Sequence, residues 1–223
     1  IDYWLASAGT PVTIDIMNAK GAVIRSFSTD SPRDTSATRA GTPRLPSRAG
    51  LNRVVWDMTY PGPWSAGGGS RRGGGGPMAA PGSYEVRITA GGTSTGEPLR
   101  LLVDPRAQRD GITQSVLDEQ LAFNLRARDL VSDANRTAES LRALGRRADG
   151  GNAKAVSALE AEMFTPPIRY SRPGLQAHIS YLYGMTLGSD QRVGRDAYER
   201  YAELKAALDA LKAKMTALGA GGG

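Results

Sequence analysis

Catalysis near neutral pH needs side chains that hold or move protons, and this chain carries few of them in a useful pattern. His178 is the only histidine. A Ser/His/Asp triad would have to be built around it, and no Gly-x-Ser-x-Gly elbow supplies the nucleophile. Its expected role is burial or a surface hydrogen bond. There is no cysteine, which removes disulfides, thiolate metal ligands and thiol nucleophiles together. The closest carboxylate pairs, Asp118 with Glu119 and Glu160 with Glu162, stand on amphipathic stretches without the spacing of a calcium loop. They read as solvated helix faces, and the helical pattern around them offers no cleft across which two acids could act on a glycoside. The run Gly67-Gly68-Gly69-Ser70-Arg71-Arg72-Gly73-Gly74-Gly75-Gly76 resembles a phosphate cradle but lacks the lysine and the strand-to-helix setting such a cradle needs. Flexible-loop composition accounts for it. The residues therefore predict no enzyme, no cofactor and no metal site.

Aromatic residues carry more information. Tyr3, Trp4, Trp56, Tyr60 and Trp64 gather in the first half, and Tyr170, Tyr181, Tyr183, Tyr198 and Tyr201 in the second. Rings with a polar tip suit half-dry contacts, and their apolar spacing assigns most of them to a core or a domain junction. The candidate partner-contact residues are Trp4, Trp64, Arg71, Arg72, Tyr170, Tyr181 and Tyr183, with the arginines suited to acidic surfaces. Lys and Arg number 28 against 22 for Asp and Glu, a net charge of +6. The excess is scattered, and no aromatic-interleaved basic stripe or nucleic-acid motif accompanies it, so nucleic acid is not an expected partner. No stretch approaches the roughly 18 apolar residues of a membrane span. Ile1-Asp2-Tyr3-Trp4-Leu5 starts without methionine and already reads as a strand, which suggests a piece released from a longer precursor, or the only ordered part of one.

These residues need elements to position them. Val12-Thr13-Ile14-Asp15-Ile16-Met17 alternates, Asn18-Ala19-Lys20-Gly21 turns, and Ala22 to Phe27 returns, a hairpin in which Gly21 takes positive φ and Asn18 starts the turn. Gly50 to Met58 has strand character, with Leu51 and Trp56 expected to anchor the core. Ser83 to Thr89 and Glu97 to Val103 complete five or six strands. Loops are expected at 28–49 and 61–81, where Ser, Thr, Gly, Pro and Arg prevail. Beyond Asp104-Pro105-Arg106 the period changes. Leu117, Leu121, Leu125, Leu130, Ala134, Ala138, Leu141 and Leu144 mark a helix of about 30 residues. Ala153–Phe164 and Gly174–Leu187 read as two shorter helices. Ala197, Tyr201, Leu204, Leu208, Leu211, Met215 and Leu218 form a heptad seam, expected to pack antiparallel on the first long helix or, between chains, on a second copy. The fold class expected is α+β with segregated halves. An immunoglobulin-like β-sandwich spans 1–104, a linker 105–112, and an antiparallel helical hairpin or bundle 113–219.

The order of several short motifs resembles the C-terminal region of bacterial sortilin-like β-propeller proteins, a group with glycosyl-hydrolase-like repeats. The motifs are Asp2-Tyr3-Trp4-Leu5, the Val12 to Phe27 hairpin, Gly50-Leu51-Asn52-Arg53-Val54-Val55-Trp56-Asp57, Pro81-Gly82-Ser83-Tyr84-Glu85-Val86, Val103-Asp104-Pro105-Arg106 and Tyr181-Leu182-Tyr183-Gly184. The Gly-x-Asn-x-x-x-Trp-Asp strand is also similar to the sandwich domain of flagellar hook-capping proteins. The propeller itself has no counterpart here. The resemblance implies an extracytoplasmic, periplasmic location and brings no catalytic residues. The function expected is that of a non-catalytic accessory subunit that binds protein subunits of a larger, membrane-embedded assembly of respiratory or photosynthetic type. In that reading the two loops order only against partners. A carbohydrate-binding module using Trp4, Trp56 and Trp64 is the second expectation, with polysaccharide as ligand, and a hydrolase fragment the third.

Overall fold

Alternating apolar and polar residues, punctuated by turn-forming Asn and Gly, organise the first part of the chain as strands. In the computed structural model, residues 1–30, 44–66 and 75–220 are described. The strands are β1 (Asp2–Leu5), β2 (Val12–Asn18), β3 (Val23–Ser28), β4 (Gly50–Arg53), β5 (Gly82–Ala90) and β6 (Thr93–Leu101). They form one four-stranded sheet in the order β3-β2-β5-β6 and one two-stranded sheet, β1-β4, both antiparallel. The β2–β3 turn follows from local chemistry. The Asn18 side-chain oxygen accepts from the backbone N–H of Lys20 and Ala22, both at 3.0 Å, and Gly21 takes φ 76°, which only glycine adopts freely. Both sheets feed one core, built from Tyr3, Leu5, Val12, Ile14, Ile16, Ile24, Phe27, Val54, Trp56, Tyr84 and Val86.

Leu51 departs from expectation. It lies 71% exposed, because alternation along 51–56 sends Asn52, Val54 and Trp56 inward and Leu51, Arg53 and Val55 outward. Parts of the two expected loops, 31–43 and 67–74, fall outside the described residues. Their described flanks are anchored. Leu45 is buried in the core, and Thr59 and Met78 form an antiparallel bridge.

The expected linker contains a short helix, α1 (Pro105–Arg109), whose first turn is capped by the Asp104 carboxylate accepting from Arg106 N–H. The remaining helices are α2 (Gln114–Gly145), α3 (Ala153–Met163), α4 (Leu175–Met185) and α5 (Arg195–Ala220). The chain divides into two compact units, one of residues 1–62 and 67–121 and the other of 63–66 and 122–223.

The second unit is a bundle whose directions can be read from its contacts. Phe123 meets Tyr198 and Tyr201 at ring-centroid distances of 5.0 and 6.1 Å, and Asp133 receives Lys212 Nζ at 2.9 Å. Both pairings advance in the same sense, so α5 runs parallel to α2. The antiparallel arm is α4. Asn124 Nδ2 donates to Thr186 O at 3.1 Å, and Gln176 Nε2 to Asn135 Oδ1 at 2.8 Å. The seam of α5 therefore packs as a heptad, but the antiparallel helix beside it is α4 rather than α2, and α3 meets it through Glu162 and Lys214. Pro166, Pro167 and Pro173 account for the break between α3 and α4, since proline cannot continue an α-helix. Phe123, Leu130, Ala134, Leu141, Val156, Met163, Ile179, Leu204, Leu208 and Leu211 fill this core. Segregated strands and helices thus make the chain α+β.

Candidate functional site

The outer face of the β1–β4 pair is the most unusual surface of the first unit. Register pairs Asp2 with Arg53 and Trp4 with Leu51. Tyr3, Leu5, Asn52 and Val54 occupy the opposite, buried face. Trp4 is 68% exposed and Val55 73%, so an indole and two aliphatic side chains stand in water beside a fork of charge. Arg53 Nε and Nη2 donate to the two Asp2 carboxylate oxygens at 2.6 and 2.8 Å. That hydrogen-bonded guanidinium holds the Asp2 carboxyl below the usual carboxylate range.

The backbone under this face is rigidly set. Buried Asn52 accepts from Arg48 N–H at 3.1 Å and donates to Arg48 O at 2.8 Å and Gly50 O at 3.0 Å. Its one amide ties the turn into β4, where Gly50 takes φ 90°. Behind it the Trp56 indole N–H donates to Thr59 O at 3.0 Å. The Trp56 ring meets Tyr84 edge-on at 5.9 Å, and the Tyr84 hydroxyl donates to Ala80 O at 2.6 Å. Burial pushes the Tyr84 phenol up to about 12.

The second unit disposes of the remaining candidates differently. Trp64 does not stand free. Its N–H donates to Ser132 Oγ at 3.0 Å, its carbonyl accepts from Asn135 Nδ2 at 2.7 Å, and the Arg136 guanidinium lies 5.3 Å from its ring centroid. It works as the clasp of a strap laid on α2. Tyr183, expected as a contact residue, is 2% exposed and belongs to the bundle core. Burial pushes its phenol up to about 12. Helical phase explains this. Leu175, Ile179 and Leu182 face inward, and Tyr183 continues their stripe at i+4 from Ile179, whereas Tyr181 and Met185 lie one turn apart on the opposite, exposed side. Tyr170 is 90% exposed, and Arg71 and Arg72 lie outside the described residues.

Leu51, Val55, Ile168 and Met185 join these surfaces although their residue types alone do not single them out. The signal was positional. Counting outward from buried Trp56 and from the Leu175–Ile179–Leu182 stripe gives each of them except Ile168 the outer phase. The arrangement supplies apolar and aromatic contact area with fixed charge beside it. Among the described residues no group of three or more His, Asp or Glu side chains could hold a metal ion, and no helix is long and apolar enough to cross a membrane. No family model matches the chain, and neither does any curated protein or solved structure.

Proposed function

We propose that this protein is a non-catalytic accessory subunit, located on the extracytoplasmic side, that binds other proteins and braces a larger membrane-associated complex of respiratory or photosynthetic type. The observation that carries this reading is the cross-strand pair Trp4 and Leu51, exposed with Val55 beside the Asp2–Arg53 fork. Large apolar side chains grouped on a stiff sheet and edged by charge are the usual make-up of a protein-binding patch. A central Trp in such a patch is the residue type that most often dominates binding.

We further read the first unit as an immunoglobulin-like sandwich related to the C-terminal region of sortilin-like propeller proteins. Two sheets share one core that holds Trp56. Tyr84, near the start of β5, sends its hydroxyl back four residues to Ala80 O, the geometry of a tyrosine corner. Among the described residues the sheets hold four and two strands, against the seven of the immunoglobulin constant type. A three-indole sugar platform receives no support from the indoles, since Trp56 is buried and the Trp64 ring is already engaged by the Arg136 guanidinium of α2.

The test is gentle isolation of the protein from its source membranes, with and without the double change Trp4→Ser and Leu51→Ser. Co-migration of the wild type with a membrane complex, abolished by the double change while thermal stability stays within about 0.5 kcal/mol, is the expected result. A wild-type protein that runs alone, or a variant that co-migrates undiminished, rejects the reading.

A further inference from the structure

A second surface, in the helical unit, has a different chemistry. Between Glu162 and Asp190 the chain carries no acidic residue, while Arg169, Arg172 and His178 fall within that stretch. Its first part, from Phe164 to Gly174, is a loop with pinned ends. A Cβ on Gly174 would overlap the Phe164 carbonyl carbon, so the two ends touch, as in an Ω-loop. Internal bonds shape the rest. Gly174 N–H donates to Thr165 Oγ1 at 3.0 Å, Ser171 N–H to Ile168 O at 3.1 Å and Ser171 Oγ to Pro166 O at 2.8 Å.

What this frame presents is costly to leave in water. Every residue from Thr165 to Tyr170 is exposed, with Ile168 at 71% and Tyr170 at 90%. Tyr170 is held at φ 63°, a left-handed conformation that L-residues with bulky side chains rarely adopt. The Arg169 guanidinium lies 5.0 Å from its ring centroid. Directly after the loop, Tyr181 and Met185 stand out from α4.

We propose that this loop, with the exposed side of α4, docks on an anionic lipid surface. This site is distinct from the β1–β4 face and does not depend on the function proposed for that face. The argument rests on charge complementarity and on shape. Two arginines in a stretch of sequence that carries no acid complement anionic headgroups, and Tyr and Arg are side chains that settle at the boundary between headgroup and acyl chain. Protein hot spots sit in well-packed pockets. A tip whose successive side chains are all exposed offers no pocket, and suits a soft medium that closes around it.

The experiment is vesicle co-sedimentation of the full chain, using phosphatidylcholine alone and phosphatidylcholine mixed with phosphatidylglycerol. Binding is expected to the mixed vesicles and to be much weaker on the neutral ones. The pair Arg169→Glu and Arg172→Glu is expected to lower the binding constant at least roughly tenfold, since each interfacial cation contributes a several-fold factor. The pair Ile168→Ser and Tyr170→Gly is expected to lower it comparably while leaving the fold intact, because glycine accepts the φ that tyrosine resists. A control pair of equal charge change, Lys20→Glu and Lys154→Glu, at exposed positions elsewhere, is expected to retain most of the binding. Three results overturn the proposal: no vesicle binding by the wild type, equal loss in the control pair, or capture of an acidic protein by the loop without any lipid binding.

Discussion

At the scale of single residues, β4 inverts the ordinary ranking of polar and apolar side chains. Asn52 is buried and makes three hydrogen bonds to the backbone of Arg48 and Gly50, whereas its neighbour Leu51 stands in water. Removing the amide takes three hydrogen bonds from partly buried backbone groups at Arg48 and Gly50, at a cost of about 1–3 kcal/mol in all. Asn52→Ala is therefore expected to destabilise the chain by that amount in urea unfolding, and Leu51→Ser to change stability by less than about 0.5 kcal/mol. Equal effects would mean that β4 does not depend on the amide. The hairpin at Asn18 was legible in the sequence because its chemistry is local, an amide closing on N–H groups two and four residues away. Leu51 shows that hydrophobicity without phase does not fix which face a strand residue takes. Trp64 was out of reach, since its partners Ser132 and Asn135 lie 68 and 71 residues further on.

At the scale of elements, β6 shows how an exposed edge is kept from pairing with another chain. The β5–β6 hairpin turns through Gly91 and Gly92 at φ 55° and 83°, and Ala90 faces Thr93 across that two-residue loop. Such a closing pair is hydrogen-bonded, and bonded pairs then alternate along the ladder. By that alternation Thr93, Thr95, Glu97, Leu99 and Leu101 bond to β5, while Ser94, Gly96, Pro98 and Arg100 turn their backbones outward. Pro98 has no N–H to offer, so it interrupts the free edge at its middle, a common protection of edge strands. Pro98→Thr restores a continuous outward row and is expected to cause concentration-dependent self-association in sedimentation velocity. An unchanged sedimentation coefficient across concentrations would show that the proline is not what guards this edge. Helix directions were less legible than helix positions. A heptad seam reports spacing and burial but carries no sign, so Leu204, Leu208 and Leu211 predict a packed stripe without saying whether the facing helix runs up or down.

At the scale of the whole molecule, each of the two units holds a tyrosine phenol that burial shifts far, Tyr84 in the strand-rich unit and Tyr183 in the helical one, while Tyr3, in the same strand core as Tyr84, is raised in the same direction. Burial raises Tyr84 and Tyr183 to about 12, against about 10 in an unfolded chain. A raised folded value means that the unfolded state loses its proton first as pH rises. The stabilisation is whole below pH 10 and drains away between about 10 and 12. Thermal melts are therefore expected to hold level up to about pH 10 from these two groups and to fall steeply above it, with Tyr84→Phe and Tyr183→Phe each flattening the decline. A decline of the same slope in both variants would assign it to other groups. The parallel course of α2 and α5 has a consequence for how the protein is made. Asp133 and Lys212 are 79 residues apart, so at roughly 5–20 residues per second α2 waits about 4–16 s for that partner to be synthesised. During that interval Phe123 lacks its ring partners Tyr198 and Tyr201. A premature stop before residue 195 would leave those contacts unmade for good, and such a chain would be cargo for chaperones and proteases rather than a shorter working protein.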